Sequence, residues 1–246
     1  RGREVAIRAA RDYFYKGEIA EEIARFSQEQ GGLLTLEDLK EFSVKIEEPV
    51  VGRFQDYQVY TCGPWCQGPV VAQAVQMLED DNLLAMGHNS PDYIHLLSQV
   101  LNLAFSDRHH YYGDPDCVNV PMAGLLSKEY TKLRRSTVDM KRAFPEMPPP
   151  GEPWSYQNNS SGINTPSTSP EPLPGDLEQD TSYTCTVDRW GNAFSATPSD
   201  SLFGSPVVTG LGFPLSSRGS QSWLDPNHPS SVQPWKRPRL TPNPAI

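Results

Sequence analysis

A threonine that becomes a chain terminus carries both halves of a nucleophile: a hydroxyl to attack and an α-amine to take its proton. An amine pKa near ~8 suits that work at neutral pH, whereas a lysine side chain would need a large shift. Thr181 stands where a cut could create such a terminus. It opens the block Thr181-Ser182-Tyr183-Thr184-Cys185-Thr186-Val187, directly after Asp180 and a proline-rich stretch. Read for shape alone, the block is one arm of a threonine-rich hairpin. Thr181, Tyr183, Cys185 and Val187 face one way, Ser182, Thr184 and Thr186 the other; residues 188–192 turn and 193–197 return.

Other clusters offer less. Cys62 and Cys66 are separated by three residues, whereas thioredoxin-type chemistry uses two. His88 and His95 supply no matched ligand set for a zinc site there. Gly63 and Pro64 make the segment a loop, with a 62–66 disulfide left open. His109 and His110 are adjacent on a helix and point in different directions, so they cannot easily chelate one ion. One of them is expected at the surface and one against Tyr111 or Tyr112. Gly204, Gly210 and Gly212 lack the order of a dinucleotide or phosphate loop. No metal and no cofactor is expected.

The elements that must position Thr181 follow from periodicity and caps. Residues 3–30 read as helix, punctuated by Gly17 and stopped by Gly31-Gly32. Thr35 to Asp38 resembles a capping box for a short helix through Phe42. Strands are expected over 44–60, then a helix over 70–78 with Val71, Ala74, Val75 and Leu78 on one face. Ser90-Pro91 starts a long helix ending near Gly113, its apolar face built from Ile94, Leu97, Leu101, Ala104 and Phe105. Ser127 starts a last helix to about Arg135. Between Pro145 and Pro174 nine of thirty residues are proline, which reads as an extended linker with little to pack: a spacer, or an exposed approach to a processing site.

The 246 residues are 37% hydrophobic and 10% aromatic, enough for a core. With 21 basic against 30 acidic residues the net charge is −9, which repels phosphate backbones and argues against nucleic acid as a partner. Apolar runs fall short of a membrane span. The opening on Arg1 and the close on Pro242-Asn243-Pro244-Ala245-Ile246 suggest an internal piece of a longer chain.

Several segments, in order, resemble the γ-glutamyltranspeptidase family of Ntn hydrolases. Phe14-Tyr15-Lys16-Gly17, Gly31-Gly32-Leu33-Leu34-Thr35, Gly87-His88-Asn89-Ser90, Ala104-Phe105-Ser106-Asp107-Arg108 and Tyr112-Gly113-Asp114-Pro115 are similar to the large subunit. Ser217-Arg218-Gly219 and Pro234-Trp235-Lys236-Arg237-Pro238 resemble the small one. The resemblance implies an α+β fold, a four-layer αββα sandwich seen in part and truncated at both ends. It implies a mostly helical large-subunit region over 1–143, a proline-rich linker over 144–180, and a β-rich small-subunit region over 181–246. Self-cleavage would fall between Asp180 and Thr181, giving a large/small subunit heterodimer with Thr181 as nucleophile.

The implied substrate is a small γ-glutamyl compound of the glutathione kind, transferred through an acyl-enzyme to water or to an amino-acid acceptor. Ser199 matches the hydroxyl that supports the nucleophile's amine. Asp200 and Ser201 fall near the asparagine that holds the substrate amino group, and Arg218 and Gln221 near the glutamine and aspartate that complete that site. An arginine cannot accept from an ammonium group. Thr241 keeps one hydroxyl of the serine pair that binds the substrate carboxylate. The family's upstream arginine and downstream Gly-Gly oxyanion donors are expected outside the chain. Two alternatives stand beside this: an amidase or acylase of the same fold with a different acyl group, and an unprocessed member serving as a binding module. Family members are often exported, which leans the expected location towards the periplasm or cell exterior.

Overall fold

The computed structural model of the chain describes residues 2–157, 181–200 and 204–246. They form two compact units, one of residues 1–46 and 200–217, the other of 47–199 and 218–246.

In the smaller unit the helical stretch expected over 3–30 is two helices, α1 (Arg3–Lys16) and α2 (Glu18–Glu29), broken at Gly17. α2 buries Ala20, Ile23, Ala24 and Phe26 on one face. α3 (Leu36–Glu41) starts with the expected capping box: Asp38 N donates to Thr35 Oγ1 at 3.3 Å, and Thr35 N to Asp38 Oδ2 at 2.7 Å. Phe14 stacks on Phe213 with ring centroids 6.5 Å apart, joining the two chain stretches of this unit.

In the larger unit the ladder expected over 44–60 begins only at Val50. β1 (Val50–Phe54) and β2 (Tyr57–Thr61) form an antiparallel hairpin. α4 (Gly68–Met77) packs across β1 and against the long α6 (Pro91–Tyr111) and α8 (Lys128–Ser136); α5 (Leu83–Met86) and α7 (Met122–Leu125) are single turns between them. The two serine caps are in place. Ser90 Oγ accepts from Tyr93 N at 3.1 Å and Ser127 Oγ from Tyr130 N at 3.2 Å.

The buried faces differ from those expected. On α6 the core residues are Leu96, Val100, Leu103, Ala104 and Tyr111, while Ile94 and Leu101 are exposed. Leu97 and Phe105 pack only at its edge. On α4 the core takes Val70, Ala74, Met77 and Leu78, leaving Val71 and Val75 half-buried. The reason on α6 is that its inner face carries polar groups too: Gln99, Asp107 and Arg108 are buried there.

That polar face binds the first part of the proline-rich stretch, which packs rather than running free. Asp107 accepts from Gly151 N at 2.9 Å, Tyr130 OH at 2.8 Å and Gln73 Nε2 at 2.6 Å, and pairs with Arg134 at 3.1 Å. Tyr111 OH donates to Gly151 O and Ser106 Oγ to Pro148 O, both at 2.6 Å. Pro153 to Tyr156 then forms a 3-10 turn with Trp154 and Tyr156 against the core. The rest of the stretch, 158–180, lies outside the described residues.

β3 (Thr184–Val187) and β4 (Ala193–Ala196) form a second antiparallel hairpin. Its turn is fixed by Asp188, which accepts from Trp190 N and Asn192 N at 2.9 Å each and from Asn192 Nδ2 at 2.7 Å. Gly191 there has φ +85, a region that only glycine enters without strain. The last residues return to β2, where Tyr60 and Ile246 exchange backbone bonds of 2.8 and 3.0 Å. No helix among the described residues is long and apolar enough to cross a membrane.

Candidate functional site

Thr181 is placed by the hairpin. Continuing the β3–β4 register outward from the Thr184–Ala196 pair reaches Ser182 opposite Pro198 and then Thr181 opposite Ser199. The first of these is joined by Ser182 N donating to Pro198 O at 3.1 Å. Proline has no N–H to return, so the ladder ends there. Beyond its end the two side chains meet: Thr181 Oγ1 and Ser199 Oγ are 2.7 Å apart. Tyr183 helps to fix the arm, its OH donating to Ala245 O at 3.0 Å and accepting from Ser195 Oγ at 3.1 Å.

A cation stands behind Ser199. Arg218, the first residue of a 3-10 turn (Arg218–Gln221), is buried, and its Nη2 donates to Ser199 Oγ at 2.5 Å. Its Nη1 donates to Thr241 Oγ1 at 2.8 Å, and Gln221 Nε2 reaches the same oxygen at 3.4 Å. Four expected residues, Thr181, Ser199, Arg218 and Thr241, are thereby joined in one hydrogen-bonded chain. Thr181 and Thr241, at its two ends, are exposed to solvent.

Thr241 is held by residues that sequence reading did not select. Leu240 N donates to Trp65 O at 2.9 Å, and Arg108 Nη2 donates to Leu240 O at 3.2 Å. Arg239 Nη1 donates to Arg108 O at 3.1 Å. Burial pushes Arg108 down to about 10; burial and then the neighbouring Arg108 push Arg239 down to about 9. Arg237 ties the preceding residues to the end of α6 through Asp114, donating from its backbone N at 2.9 Å and from Nη2 at 2.8 Å. Burial alone would raise the Asp114 carboxyl, but these donors hold it below its usual range. Beside Asp114, Gly113 lets the backbone pass close to the Pro229 carbonyl, into which a Cβ would run. The only sequence signal for this support was that both segments belong to the resemblance.

Asp200 belongs to the smaller unit, where it accepts from Ser216 Oγ at 2.6 Å. Asp180 and Ser201 lie outside the described residues, and with them the bond expected to be cut. His110 packs on Tyr111 with centroids 4.6 Å apart. His109, by contrast, lies half-buried 6.3 Å from the Trp223 ring, so neither histidine is fully at the surface. Among the described residues no group of three or more His, Cys, Asp or Glu is placed to hold a metal ion.

Residues 4–246 match the family model described as gamma-glutamyltranspeptidase. The glutathione hydrolase proenzyme of Bacillus subtilis subsp. natto is 34% identical over 238 residues, covering 96% of this chain and 40% of its own length. The solved structure of LmbA2991T421A aligns with all of the chain and 43% of its own at 35% identity and a TM-score of 0.84. The cephalosporin acylase of Bacillus halodurans aligns with 96% of the chain and 38% of its own at 28% identity and 0.76. The chain thus spans about 40% of the length of the curated relatives it matches. These structures bear out the α+β fold class of the Ntn-hydrolase type. With a family match running almost end to end over the residues that carry the Thr181 hairpin and its support, the chain belongs to the γ-glutamyltranspeptidase family.

Proposed function

We propose that the protein containing this chain is a threonine-nucleophile amidohydrolase or acyltransferase that matures by cutting itself before Thr181. In this reading the Thr181 hydroxyl attacks the Asp180 carbonyl carbon and the peptide nitrogen leaves as an amine. That amine is the new α-amine of Thr181, and water then hydrolyses the ester, freeing the Thr181 hydroxyl and leaving Asp180 with a terminal carboxylate. The mature hydroxyl attacks an amide substrate, the amine takes its proton, and water or an amino-acid amine resolves the acyl-enzyme. The observation that carries the proposal is the chain Arg218–Ser199–Thr181. A guanidinium can only donate, so Ser199 Oγ is an acceptor at 2.5 Å from Nη2, which strengthens its own O–H as a donor towards Thr181 Oγ1 at 2.7 Å. Such a donor lowers the cost of negative charge developing on the threonine oxygen. Residues 1–143 and 181–246 then belong to the large and small subunits of a heterodimer.

Intact mass of the full-length protein tests this. The wild type should give two chains meeting between Asp180 and Thr181, and Thr181→Ala one uncut chain. Two fragments in the variant would remove Thr181 from the mechanism. A single uncut wild-type mass would favour an unprocessed binding module.

A γ-glutamyl donor of the glutathione kind is the first choice, since the relative in Bacillus subtilis subsp. natto is a glutathione hydrolase proenzyme. One observation favours a second acyl group. Arg218 brings positive charge to Ser199 where an ammonium-bearing head group would need an acceptor, and it suits an acyl chain ending in a carboxylate. Hydrolysis of γ-glutamyl and glutaryl anilides by the processed protein separates the two. Faster release from the glutaryl compound, lost in Arg218→Gln, supports the acylase reading; preference for the γ-glutamyl compound sinks it.

A further inference from the structure

Two segments of the larger unit meet at the site without a shared ladder. One is the β3–β4 hairpin, which carries Thr181 and Ser199 at its open end. The other is the end of the chain, which carries Thr241 and then runs beside β2, where Ala245 bridges to Thr61 and Ile246 exchanges backbone bonds with Tyr60. Among the described residues no backbone hydrogen bond joins β3 or β4 to residues 241–246. Side chains make the connection at two levels. At the open end of the hairpin it is Arg218, which donates to both Ser199 Oγ and Thr241 Oγ1. Two residues along the arm it is Tyr183, whose OH donates to Ala245 O at 3.0 Å and accepts from Ser195 Oγ at 3.1 Å. Continuing the ladder places Thr197 opposite Tyr183. The Thr197 hydroxyl is buried with no partner among the described residues, so at that level the phenol makes the crossing. Thr181 and Tyr183, two residues apart on an extended arm, share one face.

We propose that Tyr183 is a positioning residue for acyl transfer, setting the reach from the Thr181 hydroxyl to the head-group end of the pocket at Thr241. This role rests on the reading of Thr181 as nucleophile. Thr241 Oγ1 already accepts from Arg218 and Gln221, so its own O–H is left to donate. Exposed beside a guanidinium, that donor suits a carboxylate. γ-Glutamyl and glutaryl groups both carry a carboxylate at the end remote from the scissile amide. A substrate held there presents its amide carbon at a fixed distance, and the Thr181 hydroxyl must stand at that distance to attack. Tyr183 sets it with a rigid ring that ends on the backbone of the Thr241 segment, so the hairpin resists sliding away. Self-cleavage asks for no such reach, because the chain itself delivers the Asp180 carbonyl to Thr181. Tyr183 therefore serves the reaction on substrate and not the maturation step.

Full-length protein carrying Tyr183→Phe tests this, because the substitution keeps the ring and removes only the hydroxyl. The variant should be cut before Thr181 at the wild-type rate. On whichever of the γ-glutamyl and glutaryl anilides the wild type prefers, its kcat should fall about tenfold with KM little changed. The head group still docks, and the nucleophile stands out of reach. An unchanged kcat in the cut variant would overturn the role. So would a processing rate lowered by the same factor as kcat, which would mean a general loosening of the hairpin. A wild type that stays uncut would instead sink the reading of Thr181, and the role of Tyr183 with it. Should Tyr183→Phe not fold, Ser195→Ala takes its place, since it removes the donor to the phenol. It should lower kcat about two- to threefold with processing and KM as in the wild type, and a wild-type kcat there would overturn the role.

Discussion

Ser199 lies between a cation and a hydroxyl, and that position sets what its removal should do. Ser199→Ala deletes the link between Arg218 Nη2 and Thr181 Oγ1 while leaving the hairpin backbone untouched. Loss of one positioned donor to a developing oxyanion is typically worth about 10²-fold in rate. Cleavage before Thr181, followed on a denaturing gel, should slow by that order, and so should the acylation burst of processed protein. Ser199→Thr keeps the hydroxyl and should retain most of both rates. Equal losses in the two variants would mean that Ser199 matters for packing and not for its proton. At this scale the sequence pointed to Thr181 through its place at the start of a hairpin arm, and to Ser199 through the family resemblance alone. It gave no role to Arg108 or Arg239. Both act through backbone carbonyls, and nothing in their spacing marks such a bond.

Among the elements, α6 shows where periodicity misled and why. Ile94, Leu97 and Leu101 make a good helical stripe, yet the stripe in the core runs through Leu96, Val100, Leu103 and Tyr111. Gln99, Asp107 and Arg108 lie on the inner face, and pattern reading assigns such residues to solvent. They are buried because the chain after α8 comes back to meet them: Gly151 and Pro148 bond to Asp107 and Ser106. The same fact explains why the start of the proline-rich stretch was read as loose. Its prolines cannot donate, but their carbonyls accept, as Pro148 and Pro149 do from Ser106 and Arg134. The helix starts, by contrast, were legible, since Ser90, Ser127 and Thr35 cap through local bonds. Two substitutions should rank accordingly in urea unfolding. Ser90→Ala should cost about 1 kcal/mol, the value of one cap. Asp107→Ala leaves Arg134 buried without its carboxylate and should cost about 3–5 kcal/mol. A smaller loss for Asp107→Ala than for Ser90→Ala would show that the network is not what holds Gly151 on α6.

For the molecule as a whole, the exposed acidic excess says less about acid sensitivity than two histidines inside the larger unit. His228 Nδ1 accepts from Ser230 N at 2.9 Å, while its Nε2, 2.9 Å from His109 O, is the nitrogen that carries the proton. Trp223 stacks on its ring at 4.2 Å. A second proton would have to enter at Nδ1, against an N–H already pointing there. Burial, then the charge of Arg239, brings His228 down to about 4, although the His109 carbonyl and Asp225 act the other way and His110 adds slightly to the fall. Burial, then Arg239, Arg108 and His228, brings His109 down to about 4 as well. In an unfolded chain both would titrate near ~6.5. Between those values the unfolded state binds protons that the folded state refuses. Stability is therefore fully present above pH ~6.5 and falls as the pH drops towards 4. Allowing for the solvent-facing part of each ring, the loss should be about 1–2 kcal/mol per histidine. His228→Gln retains an N–H donor for the His109 carbonyl and removes the titrating group. Its thermal midpoint should therefore fall less than that of the wild type between pH 6.5 and 4.5. Parallel slopes for the two proteins would assign the acid sensitivity to carboxylates held low by their donors, such as Asp114, and clear His228 of any part in it.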